Sequence, residues 1–178
     1  MGDFLTVELI NQLYAPTLTE ERILISGREV WNTDFSKTLS NTIQGELRVP
    51  ALNLSLRGGY HLLSNWVYFD EQNLPQQEAG AVNVLQAMLK HRLQWRTIQF
   101  HNTIVYQQVE GADVLRLPPL FTEHNLFVDL LLFKRRLRLR LGADLRLYSG
   151  YFPDAYQPLT GQFQLQNQRE EPLAAALD

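Results

Sequence analysis

Cysteine is absent from the chain, which excludes disulfide frameworks, Cys-ligated zinc and thiol catalysis. A surplus of positive charge is lacking too. Sixteen Lys+Arg against nineteen Asp+Glu leave a net charge of −3, which argues against non-specific nucleic-acid binding as the main task. Long apolar runs are missing as well: the longest, Leu173 to Leu177, has five residues, against roughly twenty for a helix that crosses a bilayer. Met1-Gly2-Asp3-Phe4 offers neither the basic n-region nor the apolar h-region of a signal peptide.

Catalytic signatures are equally scarce. No G-x-S-x-G elbow, phosphate-binding glycine loop, dinucleotide fingerprint or H-E-x-x-H occurs. The histidines, His61, His91, His101 and His124, are widely spaced, with no two at metal-ligand intervals. They are expected as polar-face or interface residues rather than ligands. Glu20-Glu21 and Glu170-Glu171 are adjacent, so on strands their side chains would point to opposite faces. Neither catalysis, nor a cofactor, nor a metal is expected.

What is present is pattern. With 178 residues, 45% apolar and 20% charged, the chain suits a single domain able to bury a sizeable core. From Arg136 to Tyr148 it reads R-L-R-L-R-L-G-A-D-L-R-L-Y. Leu137, Leu139, Leu141, Ala143, Leu145 and Leu147 fall on one parity; Arg136, Arg138, Arg140, Gly142, Asp144 and Arg146 fall on the other. This period-2 alternation is the signature of a strand with one apolar and one polar face.

Ala51 to Leu62 sets Leu52, Leu54 and Leu56 against Asn53, Ser55 and Arg57; Asn125 to Phe133 sets Leu126, Val128, Leu130 and Leu132 against Asn125 and Asp129. Arg96 to Val109 alternates less cleanly. Phe4–Tyr14, Glu21–Trp31 and Lys37–Val49 are weaker strand candidates. Gly80 to Trp95 also fits an amphipathic helix through Val82, Leu85, Met88, Leu89 and Arg92, but its neighbours favour a strand. Turn residues punctuate most joins, as at Asp70 to Pro75 and Glu110-Gly111-Ala112-Asp113. Gln157 to Glu171 reads as a loop or a severed end, and 168–178 as a tail outside any barrel.

The expected fold is therefore all-β: about eight long antiparallel strands in series, within a single domain spanning 1–178. Strands in globular domains average about five or six residues, whereas a tilted strand crossing a bilayer needs about 9–11. In lipid every backbone N–H and C=O must be paired internally, which only helices and closed barrels achieve. Long leucine-striped strands thus point to an up-and-down transmembrane barrel, lipid-facing on one side and wet on the other. Trp66, Tyr68 and Phe69, and likewise Tyr148, Tyr151, Phe152 and Tyr156, read either as interfacial girdles or as ordinary core and loop aromatics.

The stretch Tyr151-Phe152-Pro153-Asp154-Ala155-Tyr156-Gln157-Pro158-Leu159-Thr160-Gly161-Gln162-Phe163-Gln164-Leu165-Gln166-Asn167 closely resembles a characteristic segment of the putative porins of Bacteroidetes-type outer membranes. Pro75-Gln76-Gln77, Val105-Tyr106-Gln107, Asp113-Val114-Leu115-Arg116-Leu117-Pro118, Leu132-Phe133-Lys134 and Leu141-Gly142-Ala143-Asp144 match in order. The resemblance spans roughly Trp31 to Asn167. It implies passive diffusion of small hydrophilic solutes across a bacterial outer membrane, with the lipid bilayer and those solutes as partners, no nucleic acid, and room for an oligomer. Family members look like longer exported precursors with more strands, so the chain is expected to be a piece carrying a partial barrel.

In that reading Arg136, Arg138, Arg140, Asp144 and Arg146 line the lumen, joined by Asn53, Arg57 and Asp129. Such an arginine ladder would favour anionic solutes. Alternatively, Asp129, Glu123 or other acids on neighbouring strands pair the arginines and stiffen the wall. A reading from another class is a soluble or surface-attached β-barrel or sandwich binding a small ligand or carbohydrate. The two differ in which stripe faces out: a soluble binder would bury Leu137, Leu139, Leu141, Leu145 and Leu147.

Overall fold

The structure is a computed structural model that describes residues 4–134 and 136–170, with the backbone of 174–176. Strand β1 (Leu5–Tyr14) leads through a short helix, α1 (Leu18–Glu21), into the hairpin β2 (Arg22–Ile25) and β3 (Arg28–Asn32). A meander follows: β4 (Thr38–Val49), β5 (Leu54–Phe69), β6 (Pro75–Trp95), β7 (Ile98–Glu110), β8 (Leu120–Leu132) and β9 (Leu137–Tyr148). A second small hairpin, β10 (Ala155–Gln157) and β11 (Gln162–Gln164), precedes β12 (Ala174–Ala176).

The main sheet has the order β1-β4-β5-β6-β7-β8-β9-β12, with every neighbouring pair antiparallel. Its edges are β1 and β12, so the sheet is an open wall rather than a closed barrel. The all-β, antiparallel expectation holds. Gly80 to Trp95 is strand, part of the 21-residue β6.

Three segments differ from expectation. Glu21–Trp31 is not one strand, because Ser26 and Gly27 both take positive φ (52° and 77°), the geometry of a two-residue hairpin turn. Within 168–178, expected outside the sheet, Ala174–Ala176 pairs with Asp144 to Arg146 of β9. Gln157 to Glu171, expected as a loop or a severed end, includes Gln157 as the last residue of β10 and all of β11.

Register sorts the side chains into two faces. Leu9, Ile43, Tyr60, Leu85 follow one another across β1, β4, β5 and β6, and Leu93, Phe100, Leu126, Ala143 across β6 to β9. Glu46, Arg57, Met88, Val105, Phe121, Tyr148 form a row on the opposite face. Leu137, Leu139, Leu141, Leu145 and Leu147 are 37–53% exposed and form no core. Thr38, Ser40, Val82, Val84, Val105 and Gln107, by contrast, are buried, and all lie on the polar face. What packing the sheet has is therefore on its polar side.

The two ends of the wall differ. At one, chain reversals are tight: a 3₁₀ turn at Pro50–Leu52 closed by Asn53 at φ 49°, the pair Arg96-Thr97 with Arg96 at φ 53°, and the reversal between β8 and β9, entered through Phe133 and Lys134 at positive φ. At the other end stand the β2–β3 hairpin, the 111–119 loop and the long 149–170 segment. Gly111 takes φ 116°, and a Cβ there would lie 2.6 Å from the Ala81 carbonyl oxygen; only glycine lets that loop press onto β6.

Segment 149–170 reaches back from β9 to the β5–β6 turn. The Leu165 N–H donates to the Phe69 carbonyl (2.9 Å), Asn73 Nδ2 to Thr160 Oγ1 (3.0 Å), and Gln164 Nε2 to the Glu71 carbonyl (3.4 Å). Arg116 Nη1 of the 111–119 loop donates to the Gln166 carbonyl (2.6 Å), and its guanidinium lies 5.9 Å from the Phe152 ring centre. These bonds make a strap at the loop end of the wall.

Candidate functional site

The polar face carries the chemistry, because alternation delivers every other residue of seven strands to it. Asp129 on β8 is its best-connected acid. Arg140 on β9, directly opposite, donates to it through Nε and Nη2, both at 2.8 Å. Arg138 Nη2 approaches it at 3.5 Å, and Gln99 Nε2 donates to it at 3.2 Å. Gly142, next along β9, leaves room for the Phe127 ring, which a Cβ there would meet at 3.0 Å. The Arg140 guanidinium sits 5.8 Å from the centre of that ring.

A second cluster centres on Glu46. It accepts from Arg48 (Nε 3.0 Å, Nη2 2.7 Å), from Ser55 Oγ at 2.6 Å and from Arg57 Nη2 at 3.2 Å. Arg146 is matched by Glu123, 3.2 Å away on β8. Thus Arg138, Arg140 and Arg146 are all paired to acids of β8, and Arg57 to Glu46. Asp144 shares the polar face opposite Asn125. Arg136 lies in the turn ahead of β9 and Asn53 in the turn ahead of β5, so neither occupies a strand position on the face.

Lys90 and Arg92 on β6 are different. Both are exposed on the polar face, and neither has an ion pair among the described residues. Lys90 stands between Ser55 and Thr103, and Arg92 opposite His101, whose own neighbour on β8 is Asn125. All six residues, with Arg48 and Asn53, line a cavity of about 430 Å³ toward the tight-turn end. The alternation of Met88, Lys90 and Arg92 with Leu89 and Leu93 was readable, but the competing helical pattern over Gly80–Trp95 hid it.

The opposite face is mainly apolar, interrupted by the row Leu54, His91, Asn102, His124, Leu145, in which His124 Nδ1 and Asn102 Oδ1 are 2.7 Å apart, and by Asn11, Asn41 and Asn83. Aromatics mark both ends. Trp95 and Phe133 are 67% and 74% exposed at the tight-turn end. Phe69, at the loop end, is instead buried against Trp31 at 5.6 Å, so part of the Trp66-Tyr68-Phe69 cluster is core. In the strap, partial burial pushes the Asp154 carboxyl above its usual range, opposed by Arg116. Burial, helped by Glu170, raises the Tyr151 phenol. Among the described residues, no group of three or more His, Asp or Glu side chains could hold a metal ion.

No curated protein and no solved structure matches the chain. One family does: the model of the family described as putative porin matches residues 4–175, nearly the whole length. A long-stranded antiparallel wall, apolar and uncovered on one face and charged on the other, suits that match, and the chain belongs to the putative porin family.

Proposed function

We propose that the chain forms wall of an outer-membrane channel for passive diffusion of small hydrophilic solutes, without catalytic turnover. The observation that carries this reading is the uncovered leucine face on strands of bilayer length. Along β6 the outward apolar residues run from Leu85 to Trp95, and along β9 from Leu137 to Leu147. Ten residue steps cover about 33 Å, which at a tilt of about 40° stands about 25 Å high, the height of the apolar band on transmembrane barrels. The polar face then lines the water-filled side, and the bilayer meets the leucines.

The end asymmetry supports an orientation. Transmembrane barrels have short periplasmic turns and longer extracellular loops, so Pro50–Asn53, Arg96-Thr97 and the Phe133-Lys134 reversal would face the periplasm and the strap the outside. Circular dichroism in buffer and in nonionic micelles, with heat-dependent gel mobility, tests the reading. A β-rich signal that requires detergent, with a mobility shift on boiling, is the expected result. A cooperative, monomeric β-fold in plain buffer overturns it.

A further inference from the structure

The charged groups of the polar face are unequally neutralised, and this points to where an anion would be held. The arginines most conspicuous in the sequence are the least available: Arg138 and Arg140 share Asp129, and Arg146 has Glu123. We propose that Lys90 and Arg92, rather than the β9 arginines, form the oxyanion-binding site of the wall, taking small solutes that carry phosphate, sulfate or carboxylate groups. The inference rests on the channel reading for its biological setting, but its chemistry stands on β6 and β7.

Lys90 and Arg92 are two apart on one strand, so their side chains point the same way about 7 Å apart at the backbone, a spacing that one tetrahedral oxyanion bridges once the long side chains lean together. Their strand contributes no acid to that face: the flanking inward residues are Gln86, Met88 and Gln94. The nearest acid in Lys90's row is Glu123, beyond Thr103 and already engaged by Arg146. In Arg92's row it is Asp144, beyond His101 and Asn125.

Hydroxyl and amide donors stand beside the cations. Thr103 and Asn125 line the same cavity and supply neutral hydrogen bonds of the kind that complete an oxyanion's shell, whereas the Ser55 hydroxyl is already donated to Glu46. Two cations and two neutral donors thus line one cavity.

The test is a titration of the full chain, folded in nonionic micelles, with inorganic phosphate, followed by amide chemical shifts. The expected result is a saturable response centred on β6 and β7. K90Q/R92Q should weaken it at least about tenfold, the loss of a charge-assisted contact, whereas R138Q/R140Q, which also removes two cations, should leave it intact. The charge-keeping K90R/R92K variant should bind, which separates lost charge from lost fold. A response that disappears in R138Q/R140Q but survives in K90Q/R92Q overturns the site. So does a folded wild-type chain that shows no response. The channel reading fails separately: a chain that folds in plain buffer and binds phosphate there keeps the site and loses the membrane.

Discussion

Asp129 on β8 receives both the Nε and the Nη2 of Arg140 on β9, each at 2.8 Å. The bidentate geometry fixes the guanidinium in a plane, and Arg138 closes on the same carboxylate at 3.5 Å. One acid thereby restrains two cations. Asp129→Asn should release both. In the phosphate titration the variant is expected to gain a second response on β9, absent from the wild type, while the β6 response persists. A variant whose β9 amides stay silent would show that those arginines are held by something other than the carboxylate.

The absence of cysteine makes the facing of the wall directly measurable. Leu139→Cys and Arg138→Cys are neighbours on opposite faces. In vesicles, a fluorophore on Cys at 139 should be quenched by lipid-borne quenchers, and one on Cys at 138 by a water-soluble quencher. The reverse pattern would place the leucines inside. Leu139→Arg puts a charge into the apolar band and should lower stability by about 2–4 kcal/mol, read from the midpoint of heat-dependent mobility.

Gly111 offers a test of the loop end. Alanine there would have to adopt φ 116° with its Cβ 2.6 Å from the Ala81 carbonyl oxygen. Gly111→Ala should cost about 1–3 kcal/mol and loosen the 111–119 loop, seen as faster amide exchange at Val82 and Val114. Gly161→Ala, also at positive φ but with open space around it, should cost less.

Arg116→Ala should free the strap without unfolding the sheet. Its side chain, only 10% exposed, ties the 111–119 loop to Gln166 and lies over Phe152. Proteolysis within 149–170 should quicken, with circular dichroism of the sheet unchanged.

The strap also carries a pH dependence. The Asp154 carboxyl is raised above its ordinary value of 3.8 chiefly by burial, with Arg116 opposing. A carboxyl raised on folding binds its proton more tightly in the folded state, so stability is gained as pH falls through the raised value and lost as pH climbs through it. Protease resistance of the strap should therefore increase as pH falls through the raised value, and Asp154→Asn should flatten that change.

Legibility in the sequence followed how purely each strand alternates. β9 was plain because Leu137 to Leu147 keep one parity without a break. β6 was ambiguous because Met88 sits on the polar face beside Lys90, while Asn83 falls on the apolar one; together they blur the two-residue period into a helical one. The same blur concealed Lys90 and Arg92 as site residues. The neutralisation of Arg138, Arg140 and Arg146 was visible only as an option, since register, which pairs Asp129 with Arg140 and Glu123 with Arg146, is not written in either strand alone. The hairpin at 22–32 was announced by Ser26-Gly27, a turn signal that the apolar run around it outweighed. Ala174–Ala176 has no alternation at all, and its place beside β9 is set by backbone pairing.

The bonds that fasten the strap also join the most distant parts of the chain. Asn73 and Thr160 are 87 residues apart, Glu71 and Gln164 are 93, and Glu71 and Asn167 are 96, whereas each hairpin of the meander closes across a turn or a short loop. Loop-closure entropy makes such long-range contacts late ones. Late contacts add little to the speed of folding and much to the barrier against unfolding. The strap is thus a latch on lifetime: removing it should leave assembly nearly as fast and make the assembled wall come apart sooner.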